Sequence, residues 1–371
     1  MKIRVSILKR IFKVYTILGK TFGTWLSPII TGLGNLLFKI LIFLGSIFDY
    51  LLLLPKLRST KIKNPILIVG NPRSGTTFLH HYLTSHGLGT GSQLWQMLFP
   101  SIILQKLIKP FLPMLEKISP TRHHSTAAHK TSLQSVETDD ASILFRYLDG
   151  FFLYGFILSW DSEDLFDWVD PKKRDTSKRD FNWLESMWKR VLISNNQTRI
   201  IGKLFSISAN MPKFLNHFPD AKILYMVRDP LSVIPSGLSL VTGVLDKKFG
   251  FWKLEKEKRD HFIEKLYTAL VELLKRFHYD WINNNLDKNK IMIVHFDRMM
   301  KDFDGLMSEI IEFTNSEMTD TLKSDIYKTA ESQRSFKSKH KYDLEKFGLT
   351  EQKIKDDCHF IYETFLNANE N

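Results

Sequence analysis

The stretch Pro65-Ile-Leu-Ile-Val-Gly70-Asn-Pro-Arg73-Ser74-Gly75-Thr76-Thr77-Phe78-Leu79 decides the fold. Its first six residues are an apolar run bounded by proline and glycine, too short for a helix, and read as a strand buried on both faces. Beyond the glycine-rich turn, Phe78, Leu79, Tyr82 and Leu83 keep a helical spacing. Comparable short runs recur at 199–204, 222–227 and 290–296, with helical segments between them. Strand alternating with helix is the pattern of a parallel sheet with crossover connections, so the expected class is α/β, a parallel β-sheet flanked by helices. More than a hundred residues separate the first strand from the second. They are rich in aromatics and histidine and are expected to form a helical insert, about 90–195, over the carboxyl edge of the sheet.

The chain ahead of that strand is different in kind. Residues 1–64 hold eleven lysines and arginines against one acid, Asp49, so +10 of the net charge of +12 sits there. The other 307 residues carry only +2. Such a body has no global basic field for a nucleic-acid backbone, and its partners are expected to be small anions met by local, placed groups. Residues 1–20 read as an amphipathic helix. Ile7, Leu8, Ile11, Phe12, Val14, Tyr15 and Leu18 share one arc and Lys2, Lys9, Arg10, Lys13 and Lys20 lie opposite, a pattern suited to an anionic membrane surface. Basic residues recur through the stretch and no small-residue cleavage site follows, which argues against a signal peptide. The run 33–54 is long enough to span a bilayer, but Lys39 and Asp49 fall inside it, at up to ~3 kcal/mol each near the centre. It is therefore expected to lie on or dip into one leaflet, the alternative being a helix pair packed on the body. The domain reading is a membrane-associated N-terminal helical segment, 1–64, followed by a body, 65–371. Cys358 is the single cysteine, so no intrachain disulfide is available. A cytoplasmic location, peripheral to or anchored in the membrane at its cytoplasmic face, is the expectation.

Gly70 to Thr77 has the spacing of a phosphate loop and sits where one must, between a strand and a helix amino terminus. Glycines let the backbone curl so that successive N–H groups point inward, and the helix terminus adds a field favourable to an anion. The nucleotide-binding pattern G-x-x-x-x-G-K-[ST] places a lysine after its second glycine; here Thr76 takes that position and the positive charge is Arg73, earlier in the loop. A nucleoside triphosphate needs that lysine and a carboxylate-held magnesium. The loop is thus P-loop-like but suited to a smaller, less charged group, and a small-molecule kinase is a weak alternative. A second anion site follows: the run 222–227 delivers Arg228 at its carboxyl end, and Pro230 starts the next helix. Ser236 lies eight residues beyond Arg228, so a guanidinium and a hydroxyl would meet on one phosphate. The competing reading pairs Arg228 with Asp229.

Pro72-Arg-Ser-Gly-Thr-Thr77 after a buried strand closely resembles the 5′-phosphosulfate loop of the sulfotransferase superfamily, particularly its broad bacterial and eukaryotic branch. Arg228 with Ser236 looks like that family's 3′-phosphate site. The resemblance covers roughly residues 65 to 350. It implies transfer of a sulfuryl group from the co-substrate 3′-phosphoadenosine 5′-phosphosulfate to a hydroxyl or amine, with no metal required. Carried over, it assigns Arg73, Ser74, Gly75, Thr76 and Thr77 to the donor's 5′ side, and Arg228 and Ser236 to its 3′-phosphate. Lys203, closing Ile201-Gly-Lys203, would neutralise the leaving phosphate, and Lys337, Lys339 and His340 would cover the 3′-phosphate. The family's general base is a His or Glu, and the segments 121–129 and 136–140 concentrate both types. His129 is the expected base, with Glu137 orienting it or serving instead. A metal site from His123, His124, His129 and Asp139 fits no familiar spacing. The aromatic-rich insert and the apolar amino terminus point to an apolar or lipid-linked acceptor. One departure stands out: Trp95-Gln96 occupies a place where relatives carry Trp-Glu. It keeps a non-catalytic, membrane-associated donor-binding protein as the second expectation.

Overall fold

The computed structural model describes residues 3–119, 131–335 and 343–367. They fall into two units: one holds Met1–Ile62, Gly91–Thr198 and Leu240–Ala269, the other Lys63–Thr90, Arg199–Ser239 and Leu270–Asn371. The N-terminal helices and the insert thus belong to one unit, and the sheet to the other.

The sheet has four parallel strands, β1 (Ile66–Val69), β2 (Ile201–Lys203), β3 (Lys222–Val227) and β4 (Ile291–His295), in the order β2-β1-β3-β4. β1 is completely buried, which is why its sequence is a continuous apolar run instead of an alternating one. Leu79, Leu83, Val294, Phe303, Met307 and Ile310 belong to the core that covers it. The register sets Ile68 beside Lys203 and Val69 beside Tyr225. The connection from β1 runs to β2 on one side, and the next passes back over β1 to β3 on the other. The carboxyl ends of β1 and β3 therefore flank a topological switch point, the place where open α/β sheets bind ligands.

The other unit begins with α1 (Ile7–Phe22) and α2 (Leu26–Ser59). Ser6 caps α1 by accepting from Lys9 N–H, and Gly23 ends it in the left-handed conformation at φ 67°. The two arcs of α1 are those read from the sequence: the apolar arc faces outward, and part of the basic arc is bound to the protein. Arg10 is buried; it donates to the carbonyls of Val5, Tyr147 and Leu148 and lies 3.6 Å from Asp149. Lys13 pairs with Asp161 at 2.9 Å. Ile7, Leu8, Ile11 and Phe12 are exposed. Asp149 and Asp161 draw Arg10 and Lys13 onto the protein, while Lys9, Lys20 and the apolar arc stay outside.

The charges inside the long apolar helix are likewise met by partners in the protein, which offset the cost of burying them. Asp49 is completely buried and accepts from Ser101 Oγ and from the N–H groups of Ile102 and Ile103, which open α5 (Ile102–Ile108); α4 (Leu94–Leu98) precedes it. These are the unsatisfied donors of a helix amino terminus, whose field favours an anion. Arg190 Nε adds a bond to Asp49 at 3.2 Å. Lys39 Nζ donates to Arg146 O.

Candidate active site

The loop after β1 is shaped by three backbone constraints. Gly70 adopts φ 142°, and a Cβ there would meet Met226 O of β3 at 2.7 Å. Gly75, at φ 94°, caps α3 (Thr76–Ser85), and a Cβ would meet Met299 Cε at 2.5 Å. Only glycine fits either place. Between them Arg73 holds φ 79°, a left-handed conformation that costs a residue with a side chain about 1–3 kcal/mol and persists only where neighbours enforce it. The neighbours are Asn71, whose carbonyl accepts from Ser74 N–H and Ser74 Oγ, and whose side-chain amide donates to Leu270 O at 2.8 Å. The loop ends on the free N–H groups of the first turn of α3, a ready anion site.

Both sequence motifs meet at this loop. Arg73 Nε donates to Ser236 Oγ at 2.9 Å, and Arg228 Nη1 donates to Arg73 O at 2.9 Å. The Arg228 guanidinium lies 3.9 Å from the centroid of the Phe296 ring, which follows β4. Ser236 thus meets Arg73, which Arg228 also contacts, so the hydroxyl and both guanidinium groups gather at the loop. Asp229, the alternative partner for Arg228, accepts from Tyr362 Oη at 2.6 Å and from Leu231 N–H at 2.9 Å.

Lys203 closes β2 next to β1, and its buried Nζ donates to Thr77 Oγ1 at 3.2 Å. An ammonium thus reaches the loop from the adjacent strand, although the loop itself has Thr76 in place of lysine. His80 lies one turn into α3, completely buried, with Nε2 2.9 Å from Ile201 O. A carbonyl only accepts, so Nε2 carries the proton. Burial, reinforced by the Lys203 charge, lowers the His80 pKa to about 3, and the ring is neutral at ordinary pH.

Of the expected base residues, His129 lies outside the described residues, as do His123 and His124, and so do Lys337, Lys339 and His340 near the end of the chain. Glu137 belongs to the helical unit, is buried, and accepts from Ser135 Oγ at 2.9 Å. Asp139 is completely buried, accepting from Ser92 Oγ at 2.7 Å and Trp188 Nε1 at 3.0 Å. Gln96 has a structural account. Its Oε1 accepts from Gln93 N–H, completing the capping box of α4, while its Nε2 donates to Asn195 Oδ1 at 2.9 Å. Glutamate would supply the first bond but not the second.

Sequence reasoning missed Asn71, His80 and Phe296. Phe296 ends the run 290–296, whose reading as a strand carried it to the same sheet edge as Arg228. Asn71 and His80 adjoin residues already singled out, but their partners, Leu270 and Ile201, are remote in sequence.

The parallel sheet thus carries a glycine loop, two arginines and a lysine at its switch point, the edge where open α/β sheets bind ligands. A profile of the sulfotransferase family matches residues 65–320, and the chain belongs to that family. Two curated relatives, the omega-hydroxy-beta-dihydromenaquinone-9 sulfotransferases Stf3 of Mycobacterium bovis and Mycobacterium tuberculosis, are each 23% identical over 259 residues. The match takes in 67% of this chain and 62% of theirs. Among solved structures, sulfotransferase STF1 from Mycobacterium tuberculosis H37Rv superposes with a TM-score of 0.68 at 16% identity, covering 95% of this chain and 90% of that one. Sulfotransferase STF9 from Mycobacterium avium gives 0.59 at 14% identity, covering 86% of this chain and 81% of the other. Both likenesses concern the fold.

Proposed function

We propose that the protein is a sulfotransferase that moves a sulfuryl group from 3′-phosphoadenosine 5′-phosphosulfate to a hydroxyl or amine of an apolar or lipid-linked acceptor at an anionic membrane surface. The joining of Arg73 to both Ser236 and Arg228 supports this above all, because it gathers two separate anion motifs at one switch point. The residues fit such a donor: Arg73, Ser74, Gly75, Thr76 and Thr77 would hold its 5′-phosphosulfate, and Arg228, Ser236 and Lys339 its 3′-phosphate. The acceptor class draws support from the hydroxylated menaquinone named for the Stf3 relatives.

The chemistry asks for placement more than for covalent catalysis. The sulfuryl group passes in line through a loose, SO3-like state, so positioning and anion stabilisation dominate. The donor's sulfur–oxygen bond breaks, the bond to the acceptor atom forms, and the acceptor's proton goes to a base. We assign that base to His129, with Glu137 orienting it. Lys203 then faces the charge that grows on the departing phosphate.

Isothermal calorimetry tests the donor assignment. 3′-Phosphoadenosine 5′-phosphate is expected to bind far more tightly than ATP, and Arg73→Ala and Arg228→Ala each to weaken it by about 10- to 100-fold, the range for a lost charge-assisted hydrogen bond. A preference for ATP would overturn the assignment in favour of a kinase. His129→Ala is expected to cut turnover on the order of 100-fold with donor affinity unchanged. Undiminished turnover would transfer the role to Glu137.

A further inference from the structure

We infer that α2 docks the protein in the plane of an anionic membrane, with both of its ends on the same side of the bilayer. The inference deepens the membrane-surface part of the function proposed above and rests on it; the transfer reaction is read separately.

α2 has 34 residues, and fifteen of its large apolar side chains are exposed. Through 29–37 every residue is exposed, and with about 3.6 residues per turn the fifteen exposed apolar side chains fan over an arc of about 200°. A protein partner seated in a groove would cover a narrower stripe; an exposed apolar arc this wide, opposite the face that packs on the protein, calls for an apolar medium. The same unit adds Leu107, Phe111, Met114 and Ile118, all exposed. Such an extent of exposed apolar surface marks an interaction site.

The ends of the helix decide how it meets the membrane. Just before it, Phe22 stacks on Phe249 at 4.2 Å and meets Trp160 edge-on at 5.2 Å. Toward its far end, Phe38 meets Phe99 at 4.9 Å, Gly45 fits against Leu104, and Asp49 is locked to the start of α5 and to Arg190. All of these partners belong to one unit. A helix of this length runs about 51 Å, and crossing would require its ends to lie on opposite sides of roughly 30 Å of hydrocarbon. With both ends fixed to one folded unit, crossing would break the Phe22 stack or drag polar surface into lipid.

Charge selects the kind of surface. Among the described residues ahead of Pro65 the one acid, Asp49, is buried, whereas Arg4, Lys9, Lys20, Lys56, Arg58 and Lys61 are exposed. An apolar strip rimmed by cations alone complements anionic headgroups and repels a second copy of itself.

The test adds the purified full-length protein to preformed sealed vesicles, either phosphatidylcholine alone or with about one-third phosphatidylglycerol. Flotation with the anionic vesicles is expected, and the double variant Leu37→Glu/Leu44→Glu is expected to lose about 100-fold in partitioning while still binding 3′-phosphoadenosine 5′-phosphate. For topology, Lys20→Cys and Lys61→Cys are labelled separately with an impermeant maleimide. Cys358 gives little background, because burial raises its thiol to about 12. Equal labelling of both sites from outside supports in-plane docking. Protection of Lys20→Cys until detergent is added would mean that α2 crosses, and would overturn it. Failure to float, with self-association in solution, would assign the face to a second copy instead. A protein that floats but binds no donor would sink the transferase reading while leaving the docking intact.

Discussion

Lys203→Met is expected to lower kcat by about 10²- to 10³-fold while leaving the affinity for 3′-phosphoadenosine 5′-phosphate within a few-fold of wild type. Lys203 is buried at the carboxyl end of β2, and its ammonium bonds to Thr77, the last residue of the loop. A fixed cation in a site screened from water contributes most where charge develops during the reaction, here on the phosphate that departs. Methionine keeps the length of the side chain and leaves no large cavity, so the fold is expected to persist. His80 supplies a second readout. The Lys203 charge is one of the causes that lower its pKa, so removing that charge is expected to move the His80 titration upward, though burial keeps it low. If kcat stays level while the His80 titration moves, Lys203 merely ties β2 to the loop and the leaving-group assignment fails.

The loop and the sheet were readable in the sequence for a simple reason. Strands covered on both faces have to be continuous apolar runs, and the turn that follows β1 needs glycine at Gly70 and Gly75. Arg228 stood out because a short apolar run delivers it at its carboxyl end, the edge where open α/β sheets bind ligands, whereas Lys203 was singled out by the family resemblance. Other features depend on partners far away in the chain. Hydrophobic periodicity groups Ile7, Leu8, Ile11 and Phe12 on one arc of α1, but it is silent on which arc meets the protein. That was set by Arg10, whose carbonyl partner Leu148 lies 138 positions away. Gln96 shows both cases at once. Its capping box with Gln93 follows from a three-residue spacing, whereas its bond to Asn195 is invisible without the fold. Ser236 was read on the same anion as Arg228 from a spacing of eight residues, which could not show that its hydroxyl accepts from Arg73.

The docking of α1 through Arg10 also identifies a vulnerable position in the helical unit. Asp149→Asn is expected to cost about 3–5 kcal/mol of stability, because it leaves buried guanidinium groups facing a neutral amide. Asp149 is only 2% exposed. It accepts a forked pair from Arg174 at 2.9 and 2.6 Å, pairs with Arg179 at 2.9 Å, and lies 3.6 Å from Arg10. Burial pushes its pKa up, but the bonds and charge of Arg174, together with Arg10 and Arg179, outweigh burial and hold it below the ordinary carboxylate value. The folded pKa is thus below the unfolded one. This contribution is therefore complete above the unfolded value, about pH 3.9, and is lost as the pH falls through the folded value. Urea titrations at neutral pH and in acid read both effects: the variant should start well below wild type, and its own acid loss should be smaller. Arg10→Met is the control. It leaves Asp149 with Arg174 and Arg179, so its cost should be clearly smaller, yet it frees the amino-terminal half of α1. Equal costs for the two variants would mean that Arg10 alone carries the effect, and that Arg174 and Arg179 do not act with it on Asp149 as one cluster.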